Sequence, residues 1–174
     1  MLEMVQLWVN LPARDKMSPP RYQGISSSQI PVVKLTGGQG IVRVIAGQFA
    51  GVEGPAHTFT PVNVWDLRLD GEHEATEFAV PDGYTTLLAV LKGSLRIVSG
   101  DTGSETVSAA EVARFDPAGE HIRIESAQNA TALLLSGEPI PEPIVGSGPF
   151  VMNNPEEIRQ AMVDYQSGRM GNVS

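Results

Sequence analysis

The chain has 174 residues, a formal net charge of -8 and no cysteine. That length suits one ordinary domain with a real core, and 41% hydrophobic content excludes a disordered chain. An acidic balance without a Lys/Arg cluster argues against direct nucleic-acid binding, and the lack of cysteine excludes disulfides, a thiol nucleophile and thiolate metal sites. No run of about 18 apolar residues predicts a membrane span, and the start lacks a basic-then-apolar leader pattern. The expectation is a soluble cytoplasmic protein. The 18 glycines and 13 prolines suit an all-β body with many turns.

In chain order, Val5–Leu11 is the first predicted strand. Alternation places Leu7, Val9 and Leu11 on one face, with Gln6, Trp8 and Asn10 on the other. The stretch ARDKMSPPRYQGISSSQIP is aperiodic and predicts a linker. Residues 37–40 predict a turn, and Ile41–Ile45 resumes strand character. In Val62–Leu69 the alternation puts Trp65, Leu67 and Leu69 inward and Asp66 and Arg68 outward. Pro81-Asp82-Gly83 is a turn signal. Thr85–Leu91 and Ser94–Val98 flank Lys92-Gly93 and read as a hairpin. Residues 100–103 predict another turn. Glu111–Phe115, His121–Glu125 and Thr131–Leu135 follow as short strands. About ten strands with intervening turns predict a β-sandwich or small barrel.

The tail, residues 137–171, splits into a proline-rigid arm, a short apolar strand and a helix. Pro139, Pro141, Pro143 and Pro149 fix φ and remove donors, so the arm should lie over a folded body and let Phe150, Val151 and Met152 dock. Asn154 can cap a helix, Pro155 fits its first position and Glu157 completes a capping box. Ile158, Ala161, Met162 and Tyr165 recur at helical spacing, and Gly168 can end the helix. The expected division is an arm over 1–30, a barrel over 31–140 and the arm, strand and helix over 141–174.

Chemistry is sparse. The three histidines, His57, His73 and His121, show neither H-x-H nor H-x-x-x-H spacing. His73 falls in a polar stretch, residues 71–74, read as a solvated loop. His57 and His121 are the weak pocket candidates, and a structural or exposed histidine is the plainer reading of each. No G-x-S-x-G or phosphate-loop pattern occurs. No residue stands out as catalytic and none as a metal ligand.

Several blocks together resemble the pirin family of bicupins: QLWVNLP at 6–12, KMSPPRYQ at 16–23, SGEPIPEP at 136–143 and GPFVMNNPEEIRQAMVDYQSGRMG at 148–171. The resemblance covers the chain but only about the second half of a pirin. It implies a cupin-type jelly roll with an extended N-terminal arm and one C-terminal helix. The family's iron site belongs to the N-terminal cupin, ahead of the QLWVNLP block, so no metal residue carries over and no cofactor is expected. Leu87, Leu88 and Val90 stand where a metal-binding cupin would carry ligands. The resemblance also suggests that Leu7, Trp8, Val9, Leu11, Phe150, Val151 and Met152 form an interface. A homodimer, formed by exchange of N-terminal arms, would cover them. A non-catalytic protein-interaction or scaffold module is the first functional expectation. A quercetin 2,3-dioxygenase-like enzyme using a different metal or base site is the alternative, and a fragment without activity of its own is a third.

Overall fold

The structure is a computed structural model that describes residues 4–38, 40–99 and 103–171, without the side chains of residues 72–74 and 99. The chain forms two compact units. One is Gly24–Pro139; the other joins the two ends of the chain, up to Gln23 and from Ile140.

The larger unit is a seven-stranded antiparallel sheet. Its members are β1 (Val32–Lys34), β2 (Gly40–Ala46), β5 (Val62–Ala79), β6 (Thr85–Ser99), β7 (Gly103–Ser108), β8 (Val112–Arg114) and β9 (His121–Gly137). The order is β1-β2-β5-β9-β6-β7, and β8 pairs with the first half of β6. A separate two-residue ladder joins β3 (Gln48–Phe49) to β4 (Val52–Glu53). Strands of 18, 15 and 17 residues (β5, β6 and β9) exceed the usual 3–10 or so. They stay paired by bending at bulges: β5 shifts register between Leu69 and Gly71, and β6 around Lys92. The sheet thereby folds over itself. Both halves of each long strand feed one core: Trp65, Leu67 and Phe78 from β5, Leu88 and Ile97 from β6, Ile124 and Leu134 from β9. Each fully buried residue of this size contributes about 1.5–3 kcal/mol.

Alternation in β5 holds as predicted, since Trp65, Leu67 and Leu69 are buried. Four other expectations are corrected. Lys92-Gly93 is not a hairpin; β6 runs straight through it, because both flanking segments pair onward with β9. A Cβ on Gly93 would stand 2.1 Å from the Gln128 carbonyl oxygen, so the glycine answers close strand approach rather than chain reversal. The segments His121–Glu125 and Thr131–Leu135 are one strand for the same reason. Residues 71–74 lie on β5 rather than in a loop. Val5–Leu11 forms no strand: its alternation marks two faces but finds no ladder partner among the described residues. The turn expected at residues 100–103 falls largely outside the described residues.

The smaller unit contains a hairpin of β10 (Val145–Ser147) and β11 (Phe150–Met152), turned by Gly148 at φ 56°, and helix α1 (Pro155–Gln166). The sequence did not predict β10. The helix signals hold. The Asn154 side chain accepts from Glu157 N–H at 2.9 Å, and the Glu157 carboxylate accepts from Asn153 N–H at 2.8 Å, one residue earlier than a capping box would have it. Gly168, at φ 69°, closes the other end, with Gly168 N–H donating to Tyr165 C=O and Arg169 N–H to Asp164 C=O. Ile158 and Ala161 are buried, whereas Met162 and Tyr165 are exposed.

Replacing Gly93 with Ala should cost more than about 3 kcal/mol in chemical denaturation, because the clash is with backbone. Gly83→Ala, at φ 79° in open space, should cost only about 1–2 kcal/mol.

Candidate functional site

The two terminal segments meet within the smaller unit. Lys16 Nζ donates to Asn10 Oδ1 at 2.8 Å and to Val151 C=O at 3.2 Å, and Ala13 N–H donates to the Glu142 carboxylate at 2.7 Å. Asn153 Nδ2 donates to that same carboxylate and to Pro143 C=O, both at 3.0 Å. These bonds hold the N-terminal arm against the hairpin and leave a groove of about 350 Å³. Trp8, Val9, Leu11, Phe150, Val151 and Met152, all expected interface residues, line it; Leu7 is not among the lining residues. The sequence reading missed Lys16 and Met170, which complete the groove. Lys16 looks like a solvated linker cation until the fold places neutral oxygens around it. A deeper recess of about 190 Å³, lined in part by Met17, Met152 and Met170, shares Lys16 with the groove. Methionine at three points of one recess makes an adaptable apolar wall.

The groove belongs to the more apolar surface of the molecule. Sixteen large hydrophobic side chains are exposed among the described residues, and all but Val32, Phe59, Leu91 and Val112 lie on the smaller unit. Trp8 is 68% exposed and Val9 51%.

The larger unit carries an open cleft of about 470 Å³ lined by His57, Asn63, Tyr84 and Glu53. His57 is exposed there. Asn63 is oriented by accepting from Gln48 N–H at 3.2 Å. Burial pushes the Tyr84 phenol above its ordinary 10.0, and the Glu138 carboxylate adds to the shift. His121 opens β9 opposite Ala79, is exposed, and is not among the residues that line this cleft. His73 has its backbone on β5, and its side chain lies outside the described residues.

Inside the sheet the surroundings are mostly alkyl and aromatic, with one buried hydroxyl pair, Thr86 donating to Ser136 at 3.2 Å. Leu88 and Val90 point into the core, whereas Leu87 is half-buried on the alternate face. Among the described residues no group of three His, Asp or Glu is placed to hold a metal ion. The donor set among the described residues does not fit an iron of the kind the resemblance associates with the other half of a pirin.

A Pirin C-terminal cupin domain model matches residues 64–171. A Pseudomonas aeruginosa protein provisionally named quercetin 2,3-dioxygenase is 47% identical over 97% of this chain and 57% of its own length. Human pirin is 32% identical over 96% of this chain, again with 57% of its own length covered. A crystal structure of quercetin 2,3-dioxygenase from Acinetobacter baumannii superposes with a TM-score of 0.85 at 38% identity, covering 95% of this chain and 56% of that one. The chain thus spans a little over half the length of the relatives it matches.

A phenol with raised pKa stabilises the fold fully below pH 10.0, and that contribution is lost as pH rises through the folded-state value. Tyr84→Phe should therefore lose less stability than the native chain when urea denaturation is repeated above pH 10.0.

Proposed function

We propose that this chain, which belongs to the pirin family through its C-terminal cupin domain, works by docking another protein surface rather than by metal-dependent catalysis. The observation that carries this is where the apolar surface lies. The sheet interior is packed mostly with hydrocarbon, while the smaller unit exposes Trp8, Val9 and Tyr165, and Trp8, Val9 and Lys16 line its groove. Exposed aromatic and methionine side chains around a concave apolar patch are the composition of a protein interface. The occupant we assign is a second copy of this chain, its arm residues 7–11 seated on the groove of its partner, in a two-fold arrangement that buries both patches at once.

Sedimentation equilibrium should then find a dimer at micromolar concentration, and Trp8→Asp should weaken it at least about tenfold while leaving the circular dichroism of the sheet unchanged. A native chain that stays monomeric under those conditions refutes the homodimer.

The relatives named quercetin 2,3-dioxygenase support a second reading, in which the open cleft carrying His57, Asn63 and Tyr84 supplies a base for oxygenation of a flavonol. The first reading expects the purified chain, incubated with iron and freed of excess, to retain none stoichiometrically and to consume no quercetin. Iron held one-to-one, or quercetin turnover, with either lost in His57→Ala, would establish the second.

A further inference from the structure

The hairpin of β3 and β4 is unlike the rest of the larger unit. Its ladder is two residues long, Gln48 opposite Glu53 and Phe49 opposite Val52, turned through Ala50 (φ 48°) and Gly51 (φ 79°). It leaves the body through a narrow neck. Gly47 lies so close to Asn63, and Gly54 so close to the Ile45 carbonyl, that a Cβ on either would stand within 2.0 and 2.6 Å of those groups. Gly54 N–H donates to Gly47 C=O at 2.9 Å across the neck. Clefts of about 470 and 510 Å³ are lined by its residues, one by Gln48 and Glu53 and the other by Phe49 and Ala50.

From this hairpin Phe49 reaches the core. Its ring packs edge-on against Trp65 with centroids 4.9 Å apart, and lies 6.0 Å from Phe78. Trp65 is 2% exposed, and its indole N–H has no hydrogen-bond partner among the described residues. A buried indole N–H normally finds an acceptor, and leaving one unmet is costly. The side chains of the surrounding hydrophobic cluster, Val44, Leu67 and Leu134 among them, carry no acceptor.

We propose that Phe49 is a stopper and that the space it fills is a ligand site. The ligand is a small planar aromatic molecule bearing a carbonyl oxygen. It takes the place of the Phe49 ring against Trp65 and Phe78, and its oxygen accepts the hydrogen bond that the Trp65 indole lacks. With a ladder of only two residues, lifting the hairpin breaks few bonds, among them the one from Gln48 N–H to Asn63 Oδ1 on β5. Nothing covalent changes; the site binds and releases. This proposal uses no residue of the groove and stands apart from the dimer.

Acetophenone is a suitable test ligand, with ethylbenzene as its near-isostere lacking the acceptor. The chain has two tryptophans, Trp8 and Trp65, so in a Trp8→Phe background a single indole N–H appears in the nitrogen–proton correlation spectrum. Phe49→Ala should bind acetophenone with a downfield shift of that resonance, and bind ethylbenzene about tenfold or more weakly. With Phe49 present the same shift should need about tenfold or more acetophenone, since the stopper must first leave. A folded Phe49→Ala, or Phe49→Leu if the alanine variant does not fold, that shows no indole shift, or that binds both compounds equally, overturns the proposal. Hydrogen exchange of the native indole N–H gives an independent outcome. Exchange faster than the β5–β9 amides is expected, and exchange only at their rate also overturns it.

Discussion

The structure depends on filling the inside of one folded-over sheet with side chains from alternate positions of three long strands. Alternation alone would leave β5, β6 and β9 as flat ribbons with one apolar face each. The bulges bend them, so the two halves of each strand face one another across a common core. The chain meets that demand with leucine, isoleucine, valine and alanine, plus Trp65 and Phe78. Each apolar residue placed inward removes a position where a ligating side chain could stand. Among the described residues the inward positions are mostly hydrocarbon, and the buried hydroxyls of Thr86 and Ser136 are hydrogen-bonded to each other.

Among the described residues the smaller unit has a short hairpin, one helix and a 3-10 turn at Ala13–Asp15, too few elements to cover their own apolar side chains. Ile158 and Ala161 bury themselves, but Met162, Val163 and Tyr165 on the same helix do not. The unit is held together by polar contacts between the two ends of the chain. Lys16 and Glu142 act as cross-links, each reaching residues far away in sequence. Such contacts are individually worth about 0.5–3 kcal/mol. They order the arm enough for Trp8 and Val9 to stand as a defined surface.

Local signals were legible in the sequence and relational ones were not. Asn154, Pro155 and Gly168 each act on backbone groups within a few residues, so the helix could be read with its caps. Trp65, Leu67 and Leu69 could be read because one strand's period needs no partner to be seen. Gly93 misled because glycine serves both a hairpin turn and a close approach between strands, and only the Gln128 carbonyl opposite it decides between them. The arm misled in the opposite sense, since its alternation is real but no edge accepts it. Six of the expected interface residues share one groove because they are apolar residues in segments too short to bury them. Lys16 and Phe49 escaped notice. Their roles come from what lies across from them, which a linear pattern does not contain.

Two buried polar atoms within the sheet show how an unmet group should be weighed. Asp66 lies on the face of β5 away from the core yet is only 6% exposed, and one of its carboxylate oxygens has no partner among the described residues. The other oxygen accepts from Arg43 at 2.6 Å and from Arg68 at 3.3 Å, and Arg43 is itself tied to Ser27 at 2.9 Å. The charge is compensated, so the unmet oxygen is a small residue of a satisfied pair. Removing Arg43 would leave the buried carboxylate to the longer, more exposed pairing with Arg68 alone. Asp66 is therefore explained as structure. The Trp65 indole has no such compensation: it is neutral, it has one donor, and that donor is unmet at a cost of about 1–3 kcal/mol. A phenylalanine could fill much of the same volume without the cost. The indole is thus the polar group in this core whose presence packing does not explain, and the ring resting on it, Phe49, is carried by the hairpin with the shortest ladder in the unit.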